Sequence, residues 1–209
     1  MDRLRWNIVN AYGAKYVPAP VTVGHRASGV SRIAMAGCFR PEGLRVAILA
    51  TDGFEEIELV APRKALDEAG AGTKLLAPKT GAIYGRKHHD KAGEVNVDAK
   101  IEDAKPADFD AVLLPGGALN ADVLRVEKSA QEFVREIDRS GKPIAMICHA
   151  PWLLVSAGLV KGRTLTSYRT IQDDVRNAGG KWEDKEVVRE RNWVTAGSRR
   201  IFRRLIRKC

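Results

Sequence analysis

Cysteine is scarce in this chain: Cys38, Cys148 and Cys209 are the three in 209 residues, and they lie far apart. That spacing offers neither a zinc-ligand pattern nor an even-numbered disulfide framework. A reducing, cytoplasmic setting is therefore expected, with no metal and no cofactor. Long apolar runs are also missing. None approaches the ~18–20 residues of a membrane-spanning helix, so no membrane contact is expected. Internal repeats and low-complexity tracts are lacking as well.

What is present reads as an ordinary soluble globular protein, with 44% hydrophobic and 29% charged residues. The length suits one domain with a full core. A net charge of +9 hints at nucleic acid, but its distribution argues otherwise. Residues 1–43 hold six Lys/Arg against two Asp/Glu, and residues 196–209 hold six Lys/Arg and no acid, which leaves the stretch between them close to neutral. A phosphate-binding groove would need its basic residues on the folded body. Nucleic acid is thus not an expected partner, except non-specifically through the basic tail and in a manner that fades with salt.

Residues 1–43 show no sustained periodicity and end in Arg40-Pro41-Glu42-Gly43. They are expected to be a disordered extension or sequence upstream of the true start; their Arg-rich character weakly suggests a transit peptide. The domain is expected to span 44–195. Leu44–Ala50 is a short apolar run suited to a buried parallel strand. Residues 56–69 read as a helix with Ile57, Leu59, Val60, Ala65, Leu66 and Ala69 as its apolar face and Gly70 as its stop. A strand over 73–77, a β-hairpin within 80–98 and a strand over 109–114 follow. A helix over about 128–139, a strand over 143–147 and a helix over 150–157 complete the pattern. Alternating strands and helices imply an α/β fold with a mostly parallel sheet covered on both faces.

Ligands of open parallel sheets bind beyond the carboxyl ends of the strands. Three segments meet that edge: Asp52–Glu58, Pro115-Gly116-Gly117 and Cys148-His149-Ala150-Pro151. Cys148 closes a strand and opens a helix, where backbone N–H groups favour thiolate and are expected to lower its pKa. Cys148 should then react with iodoacetamide faster than Cys38 or Cys209. His149 is a candidate proton partner, although neighbours on a turn need not face each other. Gly116 and Gly117 can bring N–H donors close to a ligand and, with the N–H of His149, build an oxyanion hole. Among Glu55, Glu56 and Glu58, one carboxyl could reach the cysteine while the others simply favour the helix start. His88 and His89 lie in the hairpin and are read as surface residues, with the pocket or a metal as the alternative.

At these residues the sequence resembles the ThiJ/PfpI superfamily, most closely its branch of PfpI-type intracellular proteases and protein deglycases. The resemblance rests on AILATDGFEEIEL, FDAVLLPGG, ALNADVLR, GKPIAMICHAPWLLVSAGLVKGRTLTSY and IQDDVRNAGGKWEDKEVVRERNWVT. It covers about residues 44–195, and MICHAP is its most specific piece. It implies a flavodoxin-like three-layer sandwich of the class I glutamine amidotransferase type. It implies Cys148 as nucleophile, His149 as partner, Glu58 as a protonated carboxyl bonded to the cysteine, and Gly117 with the His149 N–H as oxyanion donors. It also implies Asp122 as an acid reaching a neighbouring subunit's site, in a homodimer or larger homo-oligomer. The chain departs from the pattern at Ala150, where glycine is usual, and after Thr195, where the sequence turns into a divergent basic tail.

The implied function is a cysteine-dependent, stress-protective enzyme acting on carbonyl electrophiles: small carbonyl compounds, glycated proteins or peptides. Peptidase, deglycase and glyoxalase chemistry all pass through a tetrahedral adduct that a thiolate beside an oxyanion hole would serve. A glutaminase fits less well, since its downstream His-x-Glu pair is missing: no histidine follows His149. The alternative is a non-catalytic stress protein, with Cys148 as an oxidation sensor or the surface as a holdase.

Overall fold

The computed structural model describes residues 42–197. The expectations for the amino-terminal extension, for Cys38 and Cys209 and for most of the basic tail lie outside these residues. In chain order the elements are β1 (Arg45–Leu49), β2 (Phe54–Glu55), α1 (Glu56–Glu68), β3 (Gly72–Ala77), β4 (Ala82–Lys87), β5 (Asp90–Asn96) and β6 (Ala99–Lys100). Then come β7 (Ala111–Leu114), α2 (Ala118–Leu124), α3 (Lys128–Arg139), β8 (Ile144–Ile147), α4 (Pro151–Ser156) and β9 (Thr164–Leu165). The series closes with α5 (Gln172–Asn177), β10 (Lys181–Trp182), β11 (Val187–Glu190) and β12 (Trp193–Ala196).

Seven strands form the main sheet in the order β11-β12-β8-β7-β1-β3-β6. Every neighbour pair in it is parallel except β11 with β12. This is the flavodoxin-like α/β architecture. β7 and β8 are apolar throughout and β1 is apolar after Arg45, because both faces are covered and successive side chains go to opposite layers. In β1, Ala47 and Leu49 pack with Phe133, Val134 and Ile137 of α3 and Leu153 and Leu154 of α4. Val46 and Ile48 pack instead with Leu59 and Leu66 of α1 and with Ile83 of the hairpin. Each such fully buried side chain contributes about 1.5–3 kcal/mol.

Two readings of the helices need correction. Ile57 and Val60 were expected on the apolar face of α1, yet they are exposed. The face turned inward is instead Glu58, Leu59, Pro62 and Leu66. Burial follows the docking of the helix start against the cysteine-bearing strand end, and that places a carboxyl inside. The short α2 was not anticipated, since its first residues follow Gly117 without a side-chain cap and seven residues are too few for a clear period.

The lower edge of the sheet is locked by Arg163, whose side chain is only 8% exposed. It pairs with Asp138 and Glu190 and donates to Asn192 Oδ1. Its guanidinium carbon lies 3.7 Å from the centre of the Trp193 ring. Asp138 also accepts from Trp193 Nε1 at 2.7 Å and from Asn192 Nδ2 at 3.0 Å. Removing one partner of such a group strands the remaining charges with little water. Arg163→Met is expected to destabilise the protein by about 3 kcal/mol in urea unfolding. A loss below about 1 kcal/mol, the value of an exposed pair, would show the network to be solvated.

Candidate active site

The strands β1, β7 and β8 are direct neighbours, so their carboxyl ends bring three segments of sequence to one place. β1 lies between β3 and β7, at the point where successive strands change direction across the sheet. In this class of fold the crevice opens there. A cavity of about 570 Å³ occupies it, lined by Gly53, Glu55, Gly117, Leu119, Cys148, His149 and Tyr168 among others.

Cys148 has a backbone φ of 60°, the left-handed region that a side chain with a Cβ rarely adopts. The conformation costs about 1–2 kcal/mol and lifts the sulfur above the end of the sheet. Two hydrogen bonds hold it. The Cys148 N–H donates to Ala196 O at 2.9 Å, and Tyr168 N donates to Cys148 O at 2.7 Å. The residue is 4% exposed.

Four groups surround its Sγ. The backbone N–H groups of Gly117 and His149 donate to it. His149 Nδ1 lies 3.2 Å away. The buried carboxyl of Glu58 faces the same position, its Oε2 accepting from Gly116 N at 2.9 Å. Gly116 has no room for a side chain: a Cβ would stand 2.4 Å from Glu58 Oε2 and 2.7 Å from Cys148 Cβ. Gly117, at φ 95°, would drive a Cβ to 2.4 Å from Gly53 O. The Gly-Gly pair is thus what allows the acid, the N–H donor and the cysteine to close on one another.

The electrostatics depart from the sequence expectation. The helix-start environment was expected to lower the cysteine pKa. Burial instead pushes it up, and the charge of Glu58 pushes it further; the N–H groups of Gly117 and His149 pull the other way but lose. Desolvation of a thiolate outweighs two partial charges. Burial pushes His149 down from 6.5, so its imidazole is neutral at neutral pH and able to take a proton. Its Nε2 lies 3.2 Å from Thr170 Oγ1, and its ring stacks at 4.8 Å from that of Tyr168.

A sequence profile of the DJ-1/PfpI family matches residues 44–208. The chain belongs to that family. A Thermococcus kodakarensis protein named as a deglycase is 40% identical over 153 residues, 73% of this chain and 89% of the relative. An Escherichia coli protein named as a protein/nucleic acid deglycase is 39% identical over 145 residues, 69% of this chain and 82% of the relative. Among solved structures, a two-domain Anabaena variabilis protein with DJ-1/ThiJ/PfpI-like and ferritin-like domains superposes with a TM-score of 0.69 at 30% identity. The match covers 74% of this chain but 45% of that one, so this chain spans less than half of the two-domain protein.

Of the site residues expected for this family member, Cys148, His149, Glu58, Gly116 and Gly117 converge. Asp122 does not join them: it is exposed on α2 and outside the lining of this chain's cavity. His88 and His89, read as surface residues, are exposed but also line the cavity, together with Arg86. The hairpin folds back over the crevice because β4 pairs with β2 at the start of α1. The last strand also runs one residue beyond Thr195, to Ala196, whose carbonyl anchors the cysteine.

Sequence reasoning missed Asn120, which is wholly buried. Its Oδ1 accepts from Thr51 N at 2.7 Å, and its Nδ2 donates to Pro115 O at 3.0 Å and Gly116 O at 3.1 Å. It ties the end of β1 to the end of β7 and so fixes where the Gly117 N–H points. Its position in the ALNADVLR segment was visible, but its partners were not. Asn120→Ala is expected to cost about 2–3 kcal/mol of stability, the cost of unsatisfied buried groups. It should also raise the pH midpoint of Cys148 alkylation, whereas Val134→Ala, a core truncation elsewhere, should lower stability without moving it. If the two variants leave the midpoint equally unchanged, Asn120 does not orient the donor.

Proposed function

We propose that the protein is a cysteine-dependent deglycase acting on carbonyl-derived adducts, with Cys148 as nucleophile. The observation that carries this reading is the elbow at Cys148, with the N–H groups of Gly117 and His149 aimed at its sulfur. The names of its relatives point to the same class of substrate. Peptide-bond hydrolysis and glyoxalase chemistry would use the same groups, and a cytoplasmic setting suits a catalytic thiol.

In this reading the neutral imidazole of His149 takes the thiol proton through Nδ1 as the sulfur bonds to the carbonyl carbon. The electron pair of the C=O bond moves to oxygen, which the two N–H groups stabilise. Collapse of the tetrahedral adduct re-forms the C=O bond, expels the leaving group with the proton from His149 and leaves a thioester on Cys148, which water then hydrolyses to a carboxylic acid and the free thiol. Glu58 carries a proton and donates it in a hydrogen bond towards Cys148 while its other oxygen accepts from Gly116. A protonated Glu58 removes the negative charge that opposes thiolate formation and replaces it with a donor.

The assembly belongs to the same reading. Ile57 and Val60 of α1 are exposed together with Leu119, Val123 and Val126 in and just after α2. Their burial against a second copy of the chain would bring Asp122 to a subunit boundary. Light scattering that finds only monomers would rule this out.

Cys148→Ser should lower turnover of methylglyoxal-glycated substrates roughly a thousandfold or more with the fold intact. Retained turnover would leave Cys148 as an oxidation sensor in a non-catalytic protein.

Glu58→Gln keeps both an acceptor for Gly116 and a donor for the sulfur. It should leave the pH midpoint of thiolate absorbance near that of the parent, and Glu58→Leu should raise it by about one unit or more. A sharp fall of the midpoint in the Gln variant would mean that Glu58 is ionised in the parent protein.

A further inference from the structure

His149 has two ring nitrogens, and the proton transfer described above uses only one. Nδ1 lies 3.2 Å from Cys148 Sγ, and Nε2 lies 3.2 Å from Thr170 Oγ1. Among the described residues neither nitrogen is hydrogen-bonded to a carboxylate. The ring is flanked by Tyr168 at 4.8 Å and by Trp152 at 5.6 Å, centre to centre. Trp152 is itself held, its Nε1 donating to Asp174 Oδ2 at 3.0 Å.

Thr170 stands in a short turn, Arg169–Ile171, directly after Tyr168. The Tyr168 N–H donates to the Cys148 carbonyl, the Ile171 N–H donates to Tyr168 O at 3.2 Å, and Ile171 is wholly buried. Thr170 is exposed, but its backbone is pinned to the same elbow that presents the sulfur.

A neutral imidazole has one N–H and one lone-pair nitrogen, and their partners settle which is which. To take the thiol proton, Nδ1 must carry the lone pair. The ring proton then sits on Nε2 and needs an acceptor, which a hydroxyl oxygen supplies. The same oxygen still accepts from Nε2 once His149 is an imidazolium, so the contact persists through the transfer. Unlike a carboxylate, a hydroxyl orients the base without a charge that would draw the proton from the thiol beforehand.

We propose that Thr170 is a positioning residue: by accepting from Nε2 it fixes the tautomer and orientation of His149 and leaves Nδ1 open to Cys148. The proposal rests on His149 as the acceptor of the thiol proton, and it adds what sets that acceptor.

The test uses full-length protein with ring-15N histidine. Proton–nitrogen NMR near neutral pH reads the tautomer, and the His149 signals are identified by their loss in His149→Gln. The iodoacetamide rate constant of Cys148 is read by mass spectrometry of its peptide. The parent is expected to carry its ring proton on Nε2. Thr170→Val keeps the shape without the acceptor. Its tautomers should mix, and alkylation of Cys148 should slow about fivefold to tenfold, the weight of one hydrogen bond. Thr170→Ser restores the hydroxyl and should recover both readings; Thr170→Ala serves if the Val variant does not fold. A parent proton on Nδ1 overturns the proposal. Absence of either change in the Val variant overturns it while leaving His149 as the base. Equal slowing in the Val and Ser variants also overturns it, since the turn would then matter only for shape. If His149→Gln is alkylated at Cys148 as fast as the parent, the base reading falls, and the role of Thr170 falls with it.

Discussion

The site depends on one backbone angle. Cys148 is held in the left-handed region, and every other feature of the crevice is arranged around the sulfur that this turn presents. The strain is offset by hydrogen bonds on both backbone groups of the same residue: its N–H donates to Ala196 at the end of β12, and its carbonyl accepts from Tyr168. With the turn in place, the β7 loop has to approach without side chains, which accounts for Gly116 and Gly117. Glu58 then fills the space behind them, and this turns the start of α1 inward by its acid and leaves Ile57 and Val60 outside.

The same closeness creates an electrostatic conflict. Burying a thiol raises the energy of its anion, and an ionised carboxylate beside it raises that energy again. Two N–H donors and a neutral histidine offer only partial relief. In the proposed reading a proton on Glu58 resolves this conflict, because it changes an opposing charge into a donor without moving an atom. On that reading, the protonation state of one glutamate separates an active nucleophile from a quiet core cysteine.

Much of the frame was legible in the sequence because its signals are local. The apolar runs at 44–50, 109–114 and 143–147 give β1, β7 and β8, and the amphipathic stretch at 128–139 is α3 within its observed bounds. The convergence of the Cys, Gly-Gly and Glu segments followed from knowing that ligands sit beyond strand ends. What escaped depends on distance in space. Asn120 binds Thr51 from 69 residues away, a contact that no window can display. The direction of the cysteine pKa turned on total burial, and a helix start read from sequence says nothing of desolvation. His88 and His89 looked superficial because the hairpin's fold over the crevice is set by the pairing of β2 with β4.

The anchor of Cys148 on Ala196 has a consequence for the order in which the protein becomes competent. The amide that fixes the elbow finds its acceptor 48 positions later in the chain, at the end of β12. A chain emerging from the ribosome can assemble β1, β3, β7 and β8 with their helices while the cysteine peptide still lacks that clasp. The left-handed turn has nothing to hold it until β12 slots in beside β8. The cysteine elbow therefore takes its final shape only once β12 is in place, and a chain that has not yet formed that strand holds an unclasped thiol.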